Sequence, residues 1–215
     1  MLAGAIFDMD GLMFDTEQIW QKNWKQIADE MGVELAEEFK FNICGTNGAL
    51  MNAVIEKYYH VEDGAPIAAD CKRRVHEDLL ESCPEKPGVH EILEFLKKNG
   101  VKIAVASSST PEQIRRNLKN TNTEHLVDAV VSGSQVAHGK PAPDIFLKAA
   151  EEIGLPASEC YVFEDAFNGV RAGYASGAKT IMIPDLSQPD DEMRRIASVY
   201  PSLLEALDAI EKGEV

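Results

Sequence analysis

The sequence predicts an α/β fold: a parallel sheet with helices on both faces, interrupted by an inserted all-helical domain. Three observations predict it. Short apolar runs alternate with helical patterns from about residue 89 onward, and strands separated by helices pair in parallel with both sheet faces covered. Residues from about 15 to 84 carry only helical stripes, with no strand signal between them. Ahead of that stretch stands one more apolar run, Ala5-Ile6-Phe7, which supplies a strand to the sheet. The expected division is therefore a core from residues 1–14 and 85–215, and a helical domain from residues 15–84.

Each element follows from its local pattern. Ala5-Ile6-Phe7 ends in two acids, Asp8 and Asp10, and Gly11 then lets the backbone turn away. A helix runs from about Thr16 to Met31, because Ile19, Trp20, Asn23, Trp24, Ile27, Ala28 and Met31 recur at helical spacing and Gly32 offers a stop. Two further stripes follow, one with Ala49, Leu50, Ala53, Val54 and Tyr58, the other with Ile67, Cys71, Val75 and Leu79. Pro84-Glu-Lys-Pro-Gly88 breaks the pattern and marks the return to the core.

Beyond it, the stripe Val89, Ile92, Leu93 and Leu96 is a helix ending at Asn99-Gly100, and Val101–Ala106 is a strand. Thr110-Pro111 opens the next helix, a cap followed by proline at the first helical position. Ala129–Val131 is a short strand, Asp144–Ile153 a helix and Cys160–Phe163 a strand. Phe167–Ser176 is a helix rich in small residues, Lys179–Ile183 the last strand, and Ser202–Glu211 a closing helix.

Bulk composition narrows the function. The chain has 215 residues, a formal charge of −15 and a high share of acids. That charge argues against non-specific binding to nucleic acid or an anionic membrane, since both need a basic face, and no apolar run approaches the length of a membrane span. Asp8 interrupts the N-terminal apolar run too early for a secretory signal, so cytoplasmic residence with reduced thiols is the expectation. Cys44, Cys71, Cys83 and Cys160 have no metal-ligand spacing. Nothing in the helices demands a partner, and a monomer is expected.

Ligands of parallel α/β sheets bind beyond the carboxyl ends of the strands, and four such ends carry chemistry here. The first is Asp8 and Asp10; residues two apart on a strand point the same way. Taken alone, Asp-x-Asp-Gly is commonly only a turn. The second is Ser107-Ser108-Ser109-Thr110, where hydroxyls and amides ahead of a helix suit a phosphate oxygen; Thr110 serves as the cap, leaving Ser107 and Ser108. The third is Lys140 in His138-Gly-Lys-Pro-Ala-Pro-Asp144, kept extended by the proline that follows it. The fourth is Glu164-Asp165. Four acids facing one lysine would repel one another and any phosphate unless a divalent cation joined them, and an all-oxygen set suits Mg²⁺ better than Zn²⁺.

Asp8-Met-Asp10-Gly, Ser107, Lys140-Pro-Ala-Pro-Asp and Glu164-Asp165 followed by Asn168-Gly169 together resemble the haloacid dehalogenase-like (HAD) hydrolase superfamily. The resemblance spans the whole chain, and the helical insertion resembles the small cap of the beta-phosphoglucomutase-like subfamily. It implies a Rossmann-like core with an all-helical cap. It implies Asp8 as the nucleophile that forms an aspartyl-phosphate and Asp10 as general acid and base. Mg²⁺ would be held by Asp8, the Asp10 carbonyl and Asp165, with Glu164 close by; Ser107 and Lys140 would hold phosphoryl oxygens.

The resemblance also separates activities. Dehalogenases lack the second aspartate and need no metal, so Asp10 and Glu164-Asp165 argue against them. Beta-phosphoglucomutases place a histidine where this chain has Trp20, and a phosphate-binding arginine where it has Gly45-Thr46-Asn47; Arg74 lies near their cap lysine. The expectation is a Mg²⁺-dependent phosphatase acting on a small phosphate ester such as a sugar phosphate. A mutase is the alternative, and a non-catalytic phosphate- or metal-sensing domain is the alternative of another class. Trp20, Asn47 and Arg74 are the candidates for selectivity, although Trp20 and Trp24 also suit a cap core, and Lys72, Arg73 and Arg74 a solvated helix face.

Overall fold

The computed structural model describes residues 1–43, 46, 48–81, 83–186 and 188–215. The chain forms two compact units, Met1–Asp15 with Pro84–Val215, and Thr16–Cys83. The selectivity candidate Asn47 lies outside the described residues, as do Gly45 and Cys44.

Among the described residues the first unit is built on strands β1 (Gly4–Phe7), β2 (Lys102–Ser107), β3 (Ala129–Ser132), β4 (Cys160–Glu164), β5 (Lys179–Met182) and β6 (Ser198–Val199). Every pairing is parallel, in the order β3-β2-β1-β4-β5-β6. The order reverses beside β1, and such a reversal leaves a crevice at the carboxyl ends of the two central strands. Here those strands are β1 and β4, paired with Phe7 opposite Phe163. The two rings stack at 4.4 Å and nearly parallel, an arrangement worth about 1 kcal/mol beyond the area it buries. That stack fixes the register in which the following acids emerge.

The second unit is all-helical among the described residues: α1 (Thr16–Met31), α2 (Phe39–Ile43), α3 (Gly48–Tyr59) and α4 (Ala65–Glu81). Its core is aromatic. Trp24, Phe39 and Tyr59 are buried and meet edge to face, and the Tyr59 hydroxyl donates to the Trp24 carbonyl at 2.6 Å. Trp24 thus belongs to the helical core.

The sheet carries α5 (Val89–Lys98), α6 (Pro111–Asn120), α7 (Asp144–Glu152), α8 (Phe167–Ala175), α9 (Asp191–Ile196) and α10 (Leu203–Lys212). Ile6, Ala104, Ala106 and Val162 point to one face and pack with Ile145, Phe146 and Ala149 of α7 and Ala172 of α8. Small side chains on both sides let these helices sit close. α5 packs on β2 and α10 on α5, burying Ile92, Leu93 and Leu96 completely. Thr110 caps α6 in a reciprocal box with Gln113, with Pro111 as the first helical residue; caps of this kind stabilise by about 1 kcal/mol. No helix among the described residues is long and apolar enough to cross a membrane.

Candidate active site

β1 is buried along its whole length, so the chain meets polar surroundings only after Phe7. The Asp8 N–H continues the ladder, donating to the Phe163 carbonyl at 3.0 Å. Asp8 and Glu164 therefore leave adjacent strands side by side. Both are buried, Glu164 to 1% exposure. Met9, Leu12, Met13 and Phe14 fold into a tight loop in which the Phe14 N–H donates to the Met9 carbonyl at 3.1 Å. Gly11 in that loop has φ +88°, and a Cβ there would lie 2.5 Å from Asp165 Oδ2. Only glycine lets the first loop close against the last acid.

Lys140 enters from the loop between β3 and α7, across a cis Lys140–Pro141 peptide. Asp144 closes this loop, accepting from the His138 N–H at 3.2 Å and lying 3.0 Å from its ring Nδ1. The Lys140 ammonium bonds to Asp8 Oδ1 and, at 2.6 Å, to Glu164 Oε1. The other Glu164 oxygen accepts the N–H groups of Asp165 and Ala166 at 2.9 and 3.0 Å, just ahead of α8. Gly169 on α8 makes room for that carboxylate, since a Cβ there would collide with it. Both oxygens of Glu164 are thus hydrogen-bonded.

Oxygens of Asp8, Glu164 and Asp165 lie within 4.8 Å of one another, an acidic group able to hold a metal ion. Both Glu164 oxygens already accept hydrogen bonds, whereas Lys140 takes up Asp8 through Oδ1 alone. Burial, then the neighbouring acids Glu164 and Asp10, push Asp8 up to about 7 even though Lys140 opposes the shift. Burial, reinforced by Glu164 and Asp8, also holds Asp165 well above the usual carboxylate range. Burial works against the charge on Lys140, but Asp8 and Glu164 outweigh it and keep the ammonium protonated. The site carries more negative charge than one lysine balances. A divalent cation is the group such a donor set accommodates.

Haloacid dehalogenase-like hydrolase is the description of the family model that matches residues 5–183. The chain belongs to that family. A phosphorylated carbohydrates phosphatase of Thermotoga maritima is 31% identical over 184 residues, covering 84% of each chain. A fructose-1-phosphate phosphatase of Escherichia coli (strain K12) is 31% identical over 180 residues, covering 83% of this chain and 95% of its own. The structure superposes at TM-score 0.84 and 26% identity on a Thermotoga maritima protein described provisionally as a beta-phosphoglucomutase, covering 98% of this chain and 99% of that one. The HAD-like chain is thus of the beta-phosphoglucomutase-like subfamily, with the α/β Rossmann-like fold expected.

The structure of this HAD-like hydrolase brings Asp8, Asp10, Ser107, Lys140, Glu164 and Asp165 to one rim. Ser107 is buried at the end of β2, and its hydroxyl donates to Asp10 Oδ2 at 3.1 Å. Ser108 is exposed. Ser109, which the sequence reading passed over, donates to the same Asp10 oxygen at 2.9 Å. β2 ends at Ser107 and the chain bends at Ser108 and Ser109, where the Ser109 N–H turns back to Ser107 Oγ at 3.0 Å; the run of hydroxyls at a strand end is the signal that could have found it. Lys86 and Asp185 were also passed over; they pair at 2.7 Å, with Asp15 3.5 Å from the same ammonium. Nothing in the spacing of Lys86 and Asp185 announces that pair.

In the helical unit Trp20 is half-buried and stacks on Trp24 at 6.0 Å. Arg74 donates to both oxygens of Glu30 at 2.6 Å and to Asp70 at 2.9 Å. Arg73 is exposed and pairs with Asp70 and Glu77, and Lys72 is exposed.

Proposed function

We propose that this chain is a Mg²⁺-dependent phosphatase that hydrolyses a small phosphate ester, a sugar phosphate or similar, through an aspartyl-phosphate on Asp8. The helical unit serves as its cap. One observation carries the reading: Asp8, Glu164 and Asp165 gather their oxygens within 4.8 Å beside the one ammonium of Lys140. The phosphatase names of the curated relatives support a phosphoric monoester hydrolase.

An Asp8 oxygen attacks phosphorus while the ester oxygen leaves, and Asp10 supplies the proton that the leaving oxygen takes. Asp10, now ionised, accepts a proton from water as that water attacks the aspartyl-phosphate, releasing phosphate and restoring Asp8. Lys140 and Ser107 hold phosphoryl oxygens, and Lys140 keeps Asp8 aimed. Asp8, the Asp10 carbonyl and Asp165 would hold Mg²⁺, with Glu164 orienting the set; the ion supplies positive charge for the phosphoryl oxygens and for the crowded acids.

The mutase alternative needs a second phosphate grip. Arg74, the cation suggested for it, is taken up by Glu30 and Asp70, and the relatives' names do not favour it. The deciding experiment measures inorganic phosphate release from a panel of sugar phosphates with and without Mg²⁺. It also follows beta-glucose 1-phosphate for conversion to glucose 6-phosphate. Mg²⁺-dependent phosphate release is expected. Conversion without release would instead establish a mutase, and binding with neither would establish a sensor.

A further inference from the structure

The serine run at the end of β2 sends its first and third hydroxyls to the same atom. Ser107 Oγ and Ser109 Oγ both donate to Asp10 Oδ2, at 3.1 and 2.9 Å, while Ser108 between them is exposed. Ser109 is fixed at both ends of its own peptide. Its N–H donates to Ser107 Oγ at 3.0 Å, and its carbonyl accepts from Ser132 Oγ at 2.7 Å. Ser132 is itself buried at the end of β3, its hydroxyl 2.9 Å from that of Ser134 and accepting the Ser134 N–H at 3.2 Å. The Ser109 hydroxyl is therefore aimed by two neighbouring strand ends before any substrate arrives.

A hydroxyl has one hydrogen to give. At rest Ser107 gives it to Asp10. A phosphoryl oxygen is an acceptor only, so holding one requires that same hydrogen. When Ser107 turns to the phosphoryl group, Ser109 is the member of the run that still donates to Asp10. We propose that Ser109 is a positioning residue for Asp10, keeping its carboxyl at the leaving oxygen while Ser107 serves the substrate. This rests on Asp10 being the acid and base of the phosphatase reading.

The proposal separates leaving groups. An aryl oxide leaves without needing a proton, whereas a sugar alkoxide needs one in the transition state, so a misplaced acid matters chiefly for the second. The first irreversible step sets kcat/KM, which therefore reports on ester cleavage and not on the later hydrolysis. The test compares wild type, S109A, S109C and S109T on p-nitrophenyl phosphate and on the fastest sugar phosphate of the panel, each with Mg²⁺. S109A is expected to lose about tenfold in kcat/KM on the sugar phosphate and less than about twofold on the aryl ester, with KM little changed. S109C keeps the volume but donates weakly, so it should behave as S109A does; S109T should restore the loss. Equal losses on both esters, or none on either, would overturn the proposal. Wild-type protein that cleaves neither ester would overturn the phosphatase reading itself, and this proposal with it.

Discussion

Asp8 and Glu164 stand side by side at the carboxyl ends of the two central strands and share the ammonium of Lys140. The β1–β4 register puts them there, since Phe7 pairs with Phe163 directly before them. Each carboxylate is buried, so neither has bulk water to disperse its charge. One cation between two buried anions restrains both.

Removing that cation should disarm the site. K140M is expected to lower kcat/KM on any phosphate ester by about a hundredfold or more, the range seen when one preorganised charge is deleted. Steady-state kinetics read the loss, and an unchanged far-ultraviolet dichroism spectrum shows that it is not unfolding. Activity within a few-fold of wild type would sink the assignment of Lys140.

Asp8 predicts an unusual pairing of outcomes. Burial and the acids around it push its carboxyl up to about 7, so the ionised form is strained where it sits. D8N keeps the shape and removes the charge. It should abolish turnover while leaving the thermal midpoint of the metal-free protein equal to or above that of wild type. A lower midpoint would show that the carboxylate contributes to folding and not mainly to chemistry.

The acidic group should announce its ion through stability. Mg²⁺ at about a hundred times its dissociation constant stabilises the folded form by about 2.7 kcal/mol. In a chain of this length each kcal/mol raises the midpoint by roughly 2–4 °C. Wild type should show that rise in a thermal melt and D165N should lose most of it. An equal rise in D165N would place the ion elsewhere.

Away from the site, Asp128 ties the start of β2 to α5. Its carboxylate accepts the Ile103 N–H at 2.9 Å and the Lys97 ammonium at 2.7 Å. Burial opposes the charge, but these two donors hold Asp128 below its ordinary value of 3.8. A depressed carboxyl contributes stability that is present above the unfolded value and lost as pH falls through the folded one. D128N should therefore cost about 1 kcal/mol near neutrality, and the gap from wild type should narrow below about pH 4. Denaturant melts at the two pH values measure it.

The sheet was legible because a strand buried on both faces reads as an unbroken apolar run. Cys160–Glu164 and Lys102–Ser107 lie within a residue or two of where such runs fall. The helix α1 was legible from its stripe and its glycine stop, and covers Thr16–Met31. β6, with two residues, and α2 and α9, with five and six, are too short for any period to register. The strand-end acids were legible as a set because the fold class says where ligands bind. The partner of each was not. Ser109 against Asp10 and Gly169 beneath Glu164 depend on where β2 ends and how closely α8 approaches. Arg74 could be singled out as a cation, yet nothing in its spacing foretold that Glu30 and Asp70 would occupy it.

The chain leaves the sheet unit and returns to it at touching residues: the Asp15 N–H donates to the Pro84 carbonyl, and the Lys86 N–H to the Met13 carbonyl, both at 2.8 Å. Whatever is threaded between residues 15 and 84 thus starts and finishes at one narrow doorway. A foreign helical segment with closely spaced ends is therefore expected to enter and leave through those same two hydrogen bonds, Asp15 to Pro84 and Lys86 to Met13, without a change to the order of the strands.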